Sequence, residues 1–114
     1  MLGSAIGAMR AVQLGVVAHP VLYRHAGGEL AVRAVPGRTV YRAPNEFGVW
    51  LRTETRDFIV PAEELPLEPR PGDSVVFDGV EYEVLAPRGE HAWRWSDPYH
   101  TAKRIHTKMV GGGT

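Results

Sequence analysis

A chain of 114 residues without cysteine suits one compact domain and excludes a disulfide framework, a thiolate metal site and a cysteine nucleophile. Its 13 basic and 13 acidic side chains balance to zero, so net charge gives no case for a nucleic-acid binder, although a local basic patch is compatible with it. Thirteen glycines and nine prolines imply many turns and few long helices, and no apolar run is long enough to cross a bilayer, so no membrane contact is expected.

Ser4 to Val17 is the one helix candidate. Leu2, Ile6, Met9, Gln13 and Val16 share a face at helical spacing, and Ser4 stands where a cap would. Gly7 and Gly15 each cost about 1 kcal/mol against Ala in a helix interior. The segment is therefore expected either as a terminal helix on the domain or as an arm that orders against a partner. It lacks an early basic region and is interrupted by Arg10, so no signal peptide is expected. The residue before a proline avoids the α region, so His19-Pro20 ends the helix and divides residues 1–19 from a body over 20–110.

Val21–His25 and Glu29–Val35 read as a hairpin around Ala26-Gly27-Gly28, ended by Pro36-Gly37. Arg38 to Gly48 is the least regular stretch. It has strand character through Thr39–Arg42 and a turn at Ala43-Pro44-Asn45-Glu46. A long irregular loop in a compact domain tends to be functional or disordered. Val49–Thr55 reads as a strand, and Phe58-Ile59-Val60 continue as a short apolar run after Arg56-Asp57. Pro61–Leu65 fits a single helical turn with proline first and acids after it, and Leu65–Pro71 a connecting strap.

From Pro71 onward the signal is stronger. Asp78-Gly79 between Asp73–Phe77 and Val80–Leu85 is a hairpin signature, because glycine accepts positive φ. Val80, Tyr82 and Val84 alternate with Glu81 and Glu83, the period of a half-buried strand. Trp93, Trp95 and Tyr99 crowd one short irregular segment and supply much of the apolar area available to close a small core. Asp97-Pro98 initiates a turn in which Asp97 bonds local backbone. The last strand, Thr101–Val110, carries Lys103, Arg104, His106 and Lys108 on both faces, which fits an edge or an intersubunit surface. Residues 111–114 read as a flexible tail. Together the elements predict a mainly β chain: a small antiparallel β-barrel or sandwich with a short N-terminal helix or arm and a long inter-strand loop.

The chemistry-bearing clusters are thin. The five histidines form no tight ligand pair, so neither a metal nor a cofactor is expected. Ser96-Asp97 with His100 or His106 offers the residue types of a triad without an oxyanion hole, so no catalysis is expected. Trp93-Arg94-Trp95 interleaves aromatic and basic groups as a stacking platform would. The competing reading makes both indoles core or interface anchors. A small nucleic-acid-binding barrel is therefore the alternative function.

Several segments taken together resemble the head–tail joining proteins of tailed bacteriophages and prophages, also called head completion, stopper or neck proteins. They are Arg56-Asp57-Phe58-Ile59-Val60-Pro61-Ala62-Glu63-Glu64-Leu65, Pro71-Gly72-Asp73, Tyr82-Glu83-Val84-Leu85, Trp93-Arg94-Trp95-Ser96-Asp97-Pro98-Tyr99 and Arg104-Ile105-His106-Thr107-Lys108. The resemblance spans roughly residues 20–110. It implies a small β-barrel subunit in a ring, commonly hexameric, assembled in the host cytoplasm and resident at the neck of the virion. One face would dock on the portal or its connector (adaptor) ring and the other on a tail terminator or tail tube protein. Packaged DNA would pass through the channel without sequence recognition. On this reading Arg38, Thr39, Tyr41, Arg42, Asn45 and Phe47 belong to a channel or intersubunit loop. Trp93, Trp95, Asp97, Tyr99, Arg104, His106 and Lys108 are structural or interface residues.

Overall fold

The computed structural model describes residues 17–87 and 90–112. Seven strands follow one another: β1 His19–His25, β2 Gly28–Pro44, β3 Trp50–Pro61, β4 Ser74–Phe77, β5 Val80–Val84, β6 Trp93–Trp95 and β7 Ala102–Gly112. All pairings are antiparallel. The order is β3-β2-β1-β4-β5-β7-β6, and β3 also pairs with β7, so six strands close into a ring with β6 added alongside β7. The mainly β, antiparallel expectation holds. The helix expected over Ser4–Val17 lies, apart from Val17, outside the described residues.

Turn chemistry sets both short hairpins. Asp78 and Gly79 take φ of 54° and 78°, the left-handed pair a type I′ turn needs, and Phe77 opposes Val80 across it. In the first hairpin His25 opposes Gly28, leaving Ala26-Gly27 as the loop. Alternation then fills the interior. Val21 and Tyr23, Val32 and Ala34, Phe58 and Val60, Val75, Val84 and Ile105 are buried together. Phe58 meets Phe77 and Tyr82 edge-on, with ring centroids at 5.9 and 5.1 Å. Tyr23 is fully buried, and its hydroxyl donates to Asp73 at 2.6 Å. That satisfies the one polar atom of a large core side chain. Burial and the Asp73 carboxylate both push its pKa well above the usual phenol range.

Three sequence expectations are corrected. Pro36-Gly37 does not end a strand: β2 runs through it to Pro44. β1 pairing stops at Ala34, so Pro36 lies where β2 has β3 as its neighbour and a missing N–H is tolerated. Arg38–Gly48 is therefore not an irregular loop. It is half of a two-stranded ribbon in which Val35 to Pro44 pair residue by residue with Ile59 to Trp50. The strand read over Val49–Thr55 and the apolar run Phe58–Val60 form one element, β3, continuous across the polar Arg56-Asp57. The last strand is not an edge: β7 pairs with β3 on one side and with β5 and β6 on the other. Leu85 N–H bonds the His106 carbonyl at 3.1 Å and His106 N–H the Ala92 carbonyl at 2.9 Å, bridging the gap between β5 and β6.

Smaller adjustments follow. Gly111 and Gly112 belong to β7, opposite Glu81 and Val80, rather than to a tail. Trp93–Trp95 is a strand rather than irregular chain. Pro61–Leu65 forms a tight turn closed by Glu64 N–H to Pro61 O at 3.0 Å, and it drops Leu65 into the core. At about 3.3 Å per residue, β2 alone matches the 53 Å long axis of the molecule, against 30 and 25 Å across it.

Candidate functional site at the ribbon and its root

Beyond Thr39 and Thr55 the ribbon leaves the body. Its turn is organised by Asn45, whose side-chain oxygen accepts from Phe47 N–H and Val49 N–H, both at 2.9 Å. Gly48 supplies the positive φ of 78°. That turn lifts Phe47 into solvent at 81% exposure, followed by Val49 and Trp50 at 55% and 69%. Of the nine large apolar side chains left exposed among the described residues, five (Val40, Phe47, Val49, Trp50 and Leu51) are on this ribbon. Apolar exposure gathered on one element is a common feature of interaction surfaces.

The two faces of the ribbon differ. Arg38, Val40 and Arg42 on β2 share one face with Trp50, Arg52, Glu54 and Arg56 on β3. Arg38 lies directly opposite Arg56, and Arg42 directly opposite Arg52. Like charges so placed repel. Glu54 answers Arg38 and Arg52, each at 3.3 Å. Arg42 and Arg56 have no ion pair among the described residues. The other face carries Thr39 and Tyr41 beside Thr53, Thr55 and Asp57. With Leu85, Ala86, Pro87 and Lys108 it lines a groove between ribbon and body.

At the root of that second face is a buried polar knot. Asp57 and His106 oppose each other across β3 and β7 and are 1% exposed. The Asp57 carboxylate accepts from Thr55 Oγ1 at 2.7 Å, Arg104 Nε at 2.7 Å and His106 Nδ1 at 3.0 Å, and from Thr39 Oγ1. Two carboxylate oxygens offer about four acceptor sites, so this one is saturated. With Asp57 ionised, the facing Nδ1 carries the hydrogen. In the neutral ring Nε2 then accepts from the Tyr41 hydroxyl at 3.1 Å. Arg104 also donates to the Arg38 carbonyl at 3.0 Å. A Cβ on Gly37 would come within 3.3 Å of its guanidinium, which gives that glycine its reason: β2 passes closely under Arg104.

Burial alone would raise the Asp57 carboxyl, but hydrogen bonds from His106, Thr39, Arg104 and Thr55 outweigh it and hold it at about 2. Burial raises the Tyr41 hydroxyl, and the Asp57 charge adds to that. Chemically the knot is a cross-link. It ties β2, β3 and β7 together where the ribbon departs.

The second cluster closes one end of the core. Trp93 and Trp95 meet edge-on at 5.0 Å, side by side opposite Ile105 and Lys103. Both are half-buried, and Trp93 packs on the core. The Lys103 ammonium lies 5.1 Å from the Trp93 ring and 5.9 Å from that of Trp95. It donates to the carbonyls of Leu65 at 2.9 Å and Leu67 at 2.7 Å, and burial lowers its pKa. Trp95 also stacks on His100 at 4.4 Å and 3°. Arg94 lies between the indoles in sequence but faces the opposite side, so the three residues do not make one stacking platform. Asp97 accepts from Thr101 N–H at 2.9 Å, Thr101 Oγ1 at 2.7 Å and Ala102 N–H at 3.2 Å, at the start of β7. Tyr99 is 75% exposed.

Thr39, Tyr41, Arg104 and His106, far apart in sequence, thus meet in one network. Arg38 sits at the root, where its carbonyl accepts from Arg104; Arg42, Asn45 and Phe47 lie further out on the ribbon, and Lys108 sits on the groove wall. Trp93, Trp95, Asp97 and Tyr99 form a separate group. The residues that sequence reasoning missed are Asp57 and Thr55. Their signal was a polar pair at i, i+2 beside the apolar alternation of Phe58 and Val60.

No curated protein matches the chain. Comparison with protein families matches residues 1–113 to the phage head-tail joining proteins. A mainly β subunit with a saturated structural knot and an apolar-tipped ribbon fits a structural rather than enzymatic family, and this chain belongs to it: it is a phage head-tail joining protein, a virion component at the junction of head and tail whose role implies association with portal and tail proteins.

Proposed function

We propose that copies of this chain assemble, in the host cytoplasm, into a ring at the neck and act there as the stopper. The ring, hexameric by analogy with the family, would dock on the portal or its connector and receive a tail terminator or tail tube protein. Packaged DNA would be held in its channel through phosphate contacts that carry no sequence information. The observation that carries this reading is the ribbon. An isolated subunit gains nothing from holding Phe47, Val49, Trp50 and Leu51 in water. A subunit with neighbours buries them, and the knot around Asp57 fixes the direction in which they point. A nucleic-acid module acting alone is disfavoured because the indoles of Trp93 and Trp95 are spent on Lys103 and the core end.

The test is a shortened ribbon. Replacing residues 40–54 by Asn-Gly keeps the facing pair Thr39 and Thr55 and closes it with a two-residue turn. Added to DNA-filled heads that lack this protein, the natural chain is expected to bind and retain the DNA, and the shortened chain to lose both. Neck rings and retained DNA with the shortened chain would overturn the role given to the ribbon.

A further inference from the structure

We infer that the arginine face of the ribbon lies on the outer face of β5 in the next copy, so that the ring is a head-to-tail contact of unlike surfaces; this rests on the ring reading above. The ribbon face combines Arg38, Arg42, Arg52 and Arg56 with one acid, Glu54, and with the apolar Val40 and Trp50. Two arginine pairs directly opposite one another are unfavourable in the free subunit. Arg42 and Arg56 find no carboxylate within 4 Å among the described residues, so the face needs acids from elsewhere.

The molecule carries unpaired acids on another strand. In the closed order β5 is three strands from β2 in either direction, through β1 and β4 or through β3 and β7. Its outward residues are Glu81 and Glu83, with Asp78 in the adjoining turn. None of the three has an ion pair among the described residues, and Glu83 faces Lys108 across the strand pair without forming one. Exposed Val110 on β7, and Val76 opposite Glu81 on β4, set apolar area beside these acids. Both surfaces therefore mix charge with apolar area, with opposite signs. A contact between unlike surfaces can pass from copy to copy and closes into a ring when the rotation allows. A rim of opposite charges also steers approach and suppresses the wrong register.

Charge exchange tests this. The variants are Arg42→Glu with Arg52→Glu, Glu81→Arg with Glu83→Arg, and all four together. Thermal unfolding checks that each one folds, and sedimentation and native mass spectrometry read assembly. Each double variant is expected to self-associate at least tenfold more weakly than the natural chain. The fourfold variant, and an equimolar mixture of the two doubles, are expected to recover assembly; the mixture stands in should the fourfold variant fail to fold. Natural chain that assembles neither alone nor on heads overturns the ring reading itself. Natural chain that assembles, with double variants that assemble equally well or are not rescued by exchange, overturns this contact alone. Unchanged assembly of the arginine variant with lost binding of a short fluorescent DNA duplex would assign the arginines to DNA and also overturn it.

Discussion

Asp57 concentrates the electrostatics of the molecule in one side chain. Its carboxyl is held at about 2, below the roughly 3.9 of an unfolded aspartate. A depressed carboxyl contributes stability that is fully present above the unfolded value and is lost as pH falls through the folded one. The window is therefore about pH 4 down to 2, and the contribution on the order of 2 kcal/mol. Urea midpoints are expected to drop across that window, and Asp57→Asn to flatten the drop. Asp57→Ala leaves the buried His106 and the largely covered Arg104 without their anion. It is expected to cost roughly 3–5 kcal/mol; a loss under about 1 kcal/mol in denaturant titration would show that the knot is not what holds the three strands. The aromatic residues divide by contact. Trp93→Ala is expected to cost about 3 kcal/mol, because it uncovers Lys103 and the core end. Tyr99→Ala, at an exposed position, should stay within about 0.5 kcal/mol in the same titration.

At the scale of elements, ribbon and body are separable. The buried core draws on β2 only as far as Ala34 and on β3 only from Phe58 onward. The ribbon beyond Thr39 and Thr55 contributes ladder bonds and exposed side chains, with Tyr41 reaching back to His106. Replacing residues 40–54 by Asn-Gly should therefore leave the circular dichroism of the body intact and lower the thermal midpoint by no more than a few degrees, the loss of the Tyr41 bond being worth about 1 kcal/mol. Collapse of the fold on this replacement would mean that the ribbon is part of the folding unit. The same variant serves the assembly experiment, so a stable body that no longer assembles separates folding from function.

In the whole molecule, closure of the sheet decides where stability is highest. β7 is bonded on both sides, by β3 along one edge and by β5, Leu85, Ala92 and β6 along the other. Its amides from Lys103 to Thr107 should exchange hydrogen most slowly, and those of the ribbon from Val40 to Glu54 fastest among the strands. Mass-spectrometric hydrogen exchange would read this gradient directly. On assembly the ribbon amides are expected to gain protection while those of β7 change little. Ribbon protection equal in monomer and assembly would argue that the ribbon stays in solvent.

Local chemistry decided what the sequence could reveal. Asp78-Gly79 and Ala26-Gly27-Gly28 dictate their turns because positive φ admits few residues, and the alternation of Val80, Tyr82 and Val84 fixes which side of β5 faces in. The order of motifs from Arg56 to Lys108 carried the family. What lay beyond it depended on neighbours far away in the chain. Pro36-Gly37 looks like a stop until β3 is seen alongside with β1 ended, because a proline interrupts a strand only where a partner needs its N–H. Lys103, Arg104 and His106 look like an exposed edge until Leu65, Leu67, the two indoles and Asp57 are brought to them. A charged side chain reads as surface unless its counter-charge is known, and here the partners lie 36 to 49 residues away. Sequence thus determined the turns, the strand faces and the family. The tertiary structure decided that Lys103, Arg104 and His106 of β7 are covered and answered while Lys108 stays exposed, because burial of a polar group depends on its partners and not on the residue alone.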